Sequence, residues 1–243
     1  MQIQIAAAKI GKYAASESGD TLEMIERPHG GLSLVLADGQ RSGHAAKTIS
    51  NLVTAKAIAL LSEGVRDGAA ARATHDYLYT LRGGKVSATL NIVSVDMVTK
   101  TLVLSRNSHC PTVIQTAPGE QRLLDDPAPP IGVRRSTKPQ IEELPIAVGM
   151  MVVVYTDGIL SAGERSGNLL DAPGFVQRLY ARHHLTAQIA APVADGLLAE
   201  AVERDQGRPL DDMSVLVVAV APAAPDDVRR LSATIPIPPL LRP

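Results

Sequence analysis

The sequence predicts an α+β fold in which antiparallel strands are covered by a layer of helices. Short β-branched runs separated by turns fill the middle third of the chain, and strands that meander in this way pair antiparallel. Several of these runs are apolar along their whole length, which is typical of strands buried on both faces. Two consecutive helical segments interrupt the strands, which favours a helical layer packed on a sheet.

The first two predicted strands meet near Asp38. Residues 1–8 alternate apolar and polar side chains, as a half-buried strand does. Gly30 and Gly31 form a turn that leads into LSLVLADG at residues 32–39. That run is continuous and apolar, so we expect a second strand, buried on both faces.

Two helices follow this strand. From Gly43 the chain is rich in helix formers, contains no proline before Gly64, and repeats apolar residues at spacings of three and four, at Ile49, Val53, Ala57 and Leu60. We expect the first helix to end at Gly64. A second helix is predicted from Asp67 to Leu81, closing at the pair Gly83 and Gly84.

The rest of the chain alternates between strands, turns and helices. Residues 124–139 hold four prolines and no helical pattern, so we expect a surface loop there. The predicted strands cover residues 86–97, 101–106, 111–116, 150–158 and 214–220, with turns at 98–100 and 118–119 and helices at 173–182 and 186–204.

The composition excludes several classes of protein. With 24 Lys and Arg against 25 Asp and Glu, the net charge of −1 gives no basic footprint for nucleic acid. A lone Cys110 excludes a disulfide scaffold and fits a reducing cytoplasm. Every apolar stretch is shorter than the roughly 18–20 residues of a membrane helix, and Lys9 and Lys12 interrupt any signal core. We therefore expect a cytoplasmic protein that binds neither nucleic acid nor membrane.

The domain organisation is predicted to be simple. One domain covers residues 1–220, and a proline-rich C-terminal tail covers residues 221–243, where six prolines fall within 23 residues. We expect this tail to be extended or polyproline-like. No sensor segment precedes Met1, so we expect this domain to act alone.

Carboxylates fall at the ends of apolar strands. Asp38 ends one run, Asp157 ends another, and Asp211 with Asp212 directly precedes a third. Several carboxylates buried together repel one another unless cations neutralise them, and hard divalent ions such as Mg²⁺ or Mn²⁺ suit oxygen ligands. Because Asp-Gly is also a common turn dipeptide, each site taken alone is equally consistent with the cap of a loop.

The residues resemble the metal-dependent protein serine/threonine phosphatases (PPM family), specifically the SpoIIE-like bacterial branch of RsbU and RsbX kinds. The resemblance is carried, in the family's order, by ESGDTLEMIE at 17–26, LVLADGQRSGHAA at 34–46, SATLNIVSVD at 87–96, RNSHCPTVI at 106–114, VVVYTDGILSAG at 152–163 and PLDDMSVLVV at 209–218. It implies a four-layer α/β/β/α sandwich, with two antiparallel sheets flanked by helices.

The resemblance also implies a centre with two Mn²⁺ or Mg²⁺ ions. Asp38 would bridge the ions, and Asp157 and Asp211 would hold the first; these three are the expected catalytic acids. Asp20 and the carbonyl of Gly39 would bind the second ion. Asp212 would be a supporting residue.

Two positions depart from relatives of this kind. Gln40 stands where many eukaryotic relatives have a His that protonates the leaving oxygen, and an amide cannot do this. Arg41 stands where a Gly is frequent; it is either a phosphate clamp or a solvated loop residue. His44 at the start of a helix and His109 in a turn are expected to be structural, and Cys110 to be a buried small residue.

The implied function is hydrolysis of phosphoserine or phosphothreonine by a water that two metal ions activate. The usual substrate in this branch is a phosphorylated STAS-domain protein of sigma-factor or stressosome signalling, which implies a role in signal transduction and stress response. Two alternatives stay open: a catalytically silent phosphoprotein-binding module, and a phosphatase of small phosphate esters.

Overall fold

The computed structural model describes residues 1–117, 120–184, 188–224 and 226–237. Within these residues the chain forms ten strands and five α-helices. The strands are β1 (Gln2–Ile10), β2 (Asp20–Glu26), β3 (Leu32–Gly39), β4 (Ala88–Asp96), β5 (Thr101–Asn107), β6 (Thr112–Ala117), β7 (Glu120–Leu124), β8 (Gln140–Pro145), β9 (Met151–Tyr155) and β10 (Met213–Ala221). The helices are α1 (Gly43–Ser62), α2 (Asp67–Arg82), α3 (Asp157–Leu160), α4 (Ala172–His183) and α5 (Ala190–Arg204).

The strands form two five-stranded sheets in which every described pair is antiparallel. The first sheet has the order β1-β10-β9-β6-β7, and the second has the order β2-β3-β4-β5-β8. This arrangement confirms the predicted antiparallel pairing. It also puts β9 and β10, the two strands whose residues are all buried, inside their sheet rather than at an edge.

Continuous apolar runs arise because both faces of each central strand are covered. In β9, Val152 and Val154 pack in the core between the sheets, whereas Val153 and Tyr155 pack against α4 and α5. In β3, alternate residues divide in the same way between that central core and a third core beneath α1 and α2. Three cores separate four layers, so the predicted α/β/β/α sandwich is confirmed.

The first two helices match their predictions closely. Ile49, Val53 and Ala57 are buried against the second sheet as expected, but the next buried position is Leu61 rather than Leu60, because the stripe advances in steps of four. α2 ends at Arg82, and Gly83 follows it with a φ of 59°. Only glycine adopts this left-handed conformation without strain, which explains the stop.

Three strands escape prediction from the sequence. β2, β7 and β8 lie at sheet edges, where one face and one side meet solvent, so their sequences mix charged residues with apolar ones. The predicted surface loop over 124–139 is correct in its lack of helix, yet Ile131 within it is fully buried and bridges Ala88 of β4.

The start of α5 and the end of β10 differ from their predicted positions. α5 begins at Ala190, not Thr186, and the predicted turn at 118–119 and residues 185–187 lie outside the described residues. β10 extends to Ala221, one residue into the predicted tail. Residues 226–237 lie outside any helix or strand, and Arg229 there donates to Glu26 at 3.0 Å. None of the helices in the described residues is both long and apolar enough to cross a membrane.

Candidate metal centre

Acidic residues from both sheets converge at one end of the sandwich. Asp38 is the penultimate residue of β3, and the antiparallel register pairs it with Asp20, the first residue of β2. Asp157 opens α3 two residues after β9, and Asp211 with Asp212 precedes β10. Because β9 and β10 are neighbours in the first sheet, the topology brings all five residues together.

A cleft of about 420 Å³ opens over these acids. It is lined by Asp38, Asp157 and Asp211, the three predicted catalytic acids, together with Gly39 and Arg41. In the described parts of the chain, no three Asp, Glu, His or Cys side chains are close enough to enclose a metal ion by themselves. Mg²⁺ rarely needs such a cage, because it is usually bound by one or two carboxylates and keeps several waters.

Asp20 is held between the two sheets by hydrogen bonds to one of its oxygens. Its Oδ2 accepts from Thr156 Oγ1 at 2.9 Å and from Ser214 Oγ at 2.6 Å, both on the first sheet. Its Oδ1 is buried and has no hydrogen-bond partner among the described residues. A buried carboxylate oxygen without a partner is costly, and this atom is available to a ligand.

The main chain of Asp20 is also fixed. The ammonium groups of Lys9 and Lys47 both donate to its carbonyl oxygen, at 3.0 and 2.8 Å. Burial and the nearby charge of Lys47 lower the pKa of Lys9. The two ammonium groups therefore lie beside the acidic cluster and offset part of its negative charge.

The carboxylates hold protons more tightly than isolated ones do. Burial, followed by the charges of Asp20 and Asp157, raises the pKa of Asp38 to about 9. Burial raises the pKa of Asp20 to about 7, against the hydrogen bonds from Ser214 and Thr156. The pKa of Asp157 is raised by burial and then by Asp211. A cation that enters such a cluster favours the ionised form of the carboxylates.

Asp212 has a structural role that its neighbour Asp211 does not share. Its two carboxylate oxygens accept the backbone N–H groups of Lys12, at 2.9 Å, and Gly19, at 2.7 Å, and the side chain is buried. It therefore fixes the segment that leads into Asp20. Asp211 instead lines the cleft, and its Oδ1 accepts the N–H of Asp212 at 2.9 Å.

Both Asp-Gly pairs need glycine for reasons of space. A Cβ on Gly39 would lie 2.1 Å from the carbonyl oxygen of Ala46, and one on Gly158 would lie 2.3 Å from that of Asp212. Neither glycine has a positive φ. The glycines therefore permit close packing around the acids rather than an unusual turn.

Arg41 and the two histidines occupy the rim and its surroundings. Arg41 is exposed, lines the cleft and has a φ of 83°, a conformation that glycine adopts more readily than arginine. His44, in the first turn of α1, has its Nδ1 2.7 Å from Glu17 Oε1, with 88% of the side chain exposed. His109 lies between β5 and β6 as predicted and lines the cleft, with Nε2 4.0 Å from Asp157 Oδ2.

Arg106 holds the turn that carries His109. Its buried guanidinium donates to the carbonyl oxygens of Ser108, at 3.0 Å, and Cys110, at 2.9 Å, on either side of the histidine. Gln140 Oε1 accepts from its Nε at 3.0 Å. Cys110 is buried, and burial raises the pKa of its thiol to about 12, so it is not a nucleophile.

Sequence reasoning missed three supporting residues: Thr156, Ser214 and Arg106. The first two stand directly beside the acidic motifs, in YTDG and DDMS, so a hydroxyl next to a strand-end acid is the signal that marks them. Nothing in the local sequence around Arg106 indicates burial, because two of its partners are the backbone carbonyls of Ser108 and Cys110, which any residue would supply, and a third is the side chain of the distant Gln140.

The family whose profile matches the chain is described as Stage II sporulation protein E (SpoIIE), over residues 28–221. No curated protein sequence matches the chain. The PP2C phosphatase domain with a regulatory fragment of SpoIIE from Bacillus subtilis aligns with a TM-score of 0.78 and 20% identity. The alignment covers 92% of this chain, which spans only 64% of that one.

Two other solved structures share the fold. RsbX in complex with magnesium aligns with a TM-score of 0.67 and 16% identity, over 89% of this chain and 94% of that chain. The catalytic domain of the serine/threonine phosphatase PstP with two manganese ions aligns with a TM-score of 0.67 and 18% identity, over 90% and 99%. The solved structures that share this fold include a serine/threonine phosphatase, which is the predicted enzyme class. This chain belongs to the SpoIIE family and has the PP2C phosphatase fold.

Proposed function

We propose that this chain is a divalent-metal-dependent phosphatase that hydrolyses phosphoserine and phosphothreonine in proteins. The observation that carries the proposal is the cluster of buried, mutually repelling carboxylates around one cleft. Within it, Asp20 Oδ1 is buried without a partner, and the pKa of Asp38 is raised to about 9. Both features are those of a site made for cations.

The available donors suit hard divalent ions, because every one is an oxygen. Asp38 stands centrally and would contact both ions, Asp157 and Asp211 would hold the first, and Asp20 with the Gly39 carbonyl would hold the second. RsbX was crystallised with magnesium and PstP with two manganese ions, which supports Mg²⁺ or Mn²⁺ for this chain.

Hydrolysis then needs no nucleophilic side chain. When bound, the two ions would lower the pKa of a shared water and offset the charge that develops on the phosphoryl oxygens. The chain's own carboxylates would hold the ions in the cleft, and Arg41 at the rim would offer a guanidinium to the phosphoryl group. Gln40, whose Oε1 accepts the N–H of Ser87, cannot protonate the leaving oxygen, so either water supplies that proton or the leaving alcohol departs with less assistance.

Turnover of p-nitrophenyl phosphate with Mn²⁺ tests the activity. We expect Asp38→Asn and Asp157→Asn to lower kcat/KM by about 100-fold or more, because even outer-shell changes at metal sites cost about 10–100-fold. Asp195→Asn, on the exposed face of α5, is the matched control and should leave turnover unchanged. Turnover that survives both cleft substitutions would refute the two-metal mechanism, and none in the native chain would favour a silent binding module.

The proposed substrate is a phosphorylated STAS-domain regulator of sigma-factor or stressosome signalling. The resemblance to the RsbX and RsbU kinds supports this choice. The test compares phosphate release from a serine-phosphorylated STAS-domain protein with release from an unrelated phosphoserine peptide at equal concentration. We expect a clearly higher kcat/KM for the STAS-domain protein than for the peptide. Equal kcat/KM values would refute specificity for STAS-domain proteins. Activity on p-nitrophenyl phosphate alone would indicate a phosphatase of small phosphate esters.

A further inference from the structure

A second cleft, of about 500 Å³, lies between two segments that also serve the metal centre. One segment follows Asp157 and reaches Ser166, and the other runs from Arg204 to Leu210, directly before Asp211. Three arginines line this cleft, at positions 165, 204 and 208, together with Ser166, Asp205 and Gln206.

The single carboxylate in this cleft does not neutralise the arginines. Asp205 Oδ1 accepts the N–H of Gly163 at 2.8 Å, and its Oδ2 accepts the N–H of Leu210 at 2.9 Å. Asp205 forms no ion pair with an arginine of the described residues. Its role is to join the segment after Asp157 to the segment before Asp211, so the cleft and the metal centre share one framework.

The three arginines differ in how they are engaged. Arg204 is held by Glu200, at 2.8 Å, and by the side-chain oxygen of Asn168, at 2.6 Å. Arg165 and Arg208 are exposed, and neither pairs with a carboxylate in the described part of the chain. Arg208 lies over the ring of Tyr13, 5.4 Å from its centroid, which restrains the guanidinium.

We infer that this cleft is a docking site for an acidic segment of a phosphoprotein substrate. Two guanidinium groups without carboxylate partners offer the fork of donors that fits carboxylates in pairs. The volume lies within the range of ligand sites and would admit a few side chains. The polar and charged lining excludes an apolar ligand. The inference rests on the proposed function, because a docking site on the segments that carry Asp157 and Asp211 matters only for a substrate protein.

Kinetics on matched substrates test this site. Two phosphoserine peptides of equal length are compared, one carrying Asp and Glu near the phosphoserine and the other carrying Asn and Gln there. In the double variant Arg165→Ala/Arg208→Ala we expect KM for the acidic peptide to rise about fivefold with kcat unchanged, the sum of two exposed charge pairs. KM for the neutral peptide and turnover of p-nitrophenyl phosphate should not change.

Arg182→Ala is the matched control, since Arg182 is an exposed arginine on α4 outside the cleft. Arg204 is left intact, because its bonds to Glu200 and Asn168 stabilise the fold. An unchanged KM for the acidic peptide in the double variant, or an equal rise in Arg182→Ala, would overturn the inference. Equal rises for both peptides would overturn it too.

A binding measurement separates this inference from the proposed function. Fluorescence anisotropy of the labelled peptides with native protein in chelator needs no turnover. We expect tighter binding of the acidic peptide than of the neutral one, and loss of that difference in the double variant. If the native chain hydrolyses nothing yet binds the acidic peptide more tightly, the docking site is supported and the phosphatase proposal fails. If it hydrolyses p-nitrophenyl phosphate but binds both peptides equally, the phosphatase proposal is supported and the docking site is refuted.

Discussion

The two halves of the metal centre differ in how far they are enclosed. On the second sheet, Asp20 is 0% exposed and Asp38 has its pKa raised to about 9. On the first sheet, the side chain of Asp157 is 38% exposed, and Asp211 lines the open cleft. The enclosed half therefore carries the electrostatic cost of the site, while the open half leaves room for water and a phosphoryl group.

This division follows from the topology. Asp20 and Asp38 face each other across the β2 and β3 register, so neither can move away from the other without breaking the ladder. Asp157 and Asp211 come from segments outside the strands, where the backbone can adjust. The rigid, enclosed half therefore needs cations more than the open half does.

The largest expected effect is a loss of stability of the metal-free chain as pH rises. Asp20 and Asp38 bind protons more tightly when folded, with pKa values of about 7 and about 9, than when unfolded. The unfolded chain releases these protons above about pH 4, so stability falls as pH rises through the folded values. In chelator, we expect the free energy of unfolding to be at least about 4 kcal/mol lower at pH 8 than at pH 5, because each pH unit between the unfolded and folded pKa costs about 1.4 kcal/mol per group.

Urea unfolding at both pH values measures this change. The Asp38→Asn chain should show less than half of the native dependence and should be more stable than the native chain at pH 8, because the amide carries no charge. Added Mn²⁺ should restore stability at pH 8 in the native chain only. Identical pH dependence in the two chains would contradict the assignment of the cost to the enclosed half.

The next effect distinguishes two adjacent carboxylates. Asp212→Ala removes the acceptor from the N–H groups of Lys12 and Gly19, and we expect a loss of about 2–4 kcal/mol in the free energy of unfolding. Asp211→Ala removes a side chain of the open half, so stability should change by less than about 1 kcal/mol. Turnover of p-nitrophenyl phosphate should fall by about 100-fold or more in Asp211→Ala.

Equal stability losses in the two alanine variants would contradict this division of roles. The comparison is controlled internally, because both substitutions remove one carboxylate from neighbouring positions before β10. Asp212→Asn sharpens it further, since the amide oxygen can still accept one N–H and should recover part of the lost stability.

The sequence predicts the buried parts of this molecule better than its borders. Strands with both faces covered, such as β3, β9 and β10, are continuous apolar runs, and the acids at their ends are visible for that reason. Edge strands such as β8 mix charged and apolar residues like any surface segment, so local pattern does not mark them.

The site divides in the same way. Strand-end acids could be found because their position is local information. The hydrogen bonds of Thr156 and Ser214 to Asp20 could not, because they span 136 and 194 residues of sequence and depend on how the two sheets stack. The Arg106 network, which joins β5 to Gln140 of β8, is hidden for the same reason.

The smallest expected effect concerns Arg41, which lies three residues after Asp38 in the chain and lines the open cleft. Its φ of 83° is a strained conformation for a residue with a Cβ, so Arg41→Gly should raise the free energy of unfolding by about 0.5–1 kcal/mol, whereas Arg41→Ala should not. If the guanidinium clamps phosphate, both variants should raise KM for a phosphoserine peptide by about threefold or more.

Lys100→Gly is the matched control, since Lys100 has a φ of 55° in the exposed turn before β5. It should gain similar stability with an unchanged KM, because it relieves strain without touching the cleft. An unchanged KM in both Arg41 variants would make Arg41 a solvated loop residue whose strain has no catalytic purpose.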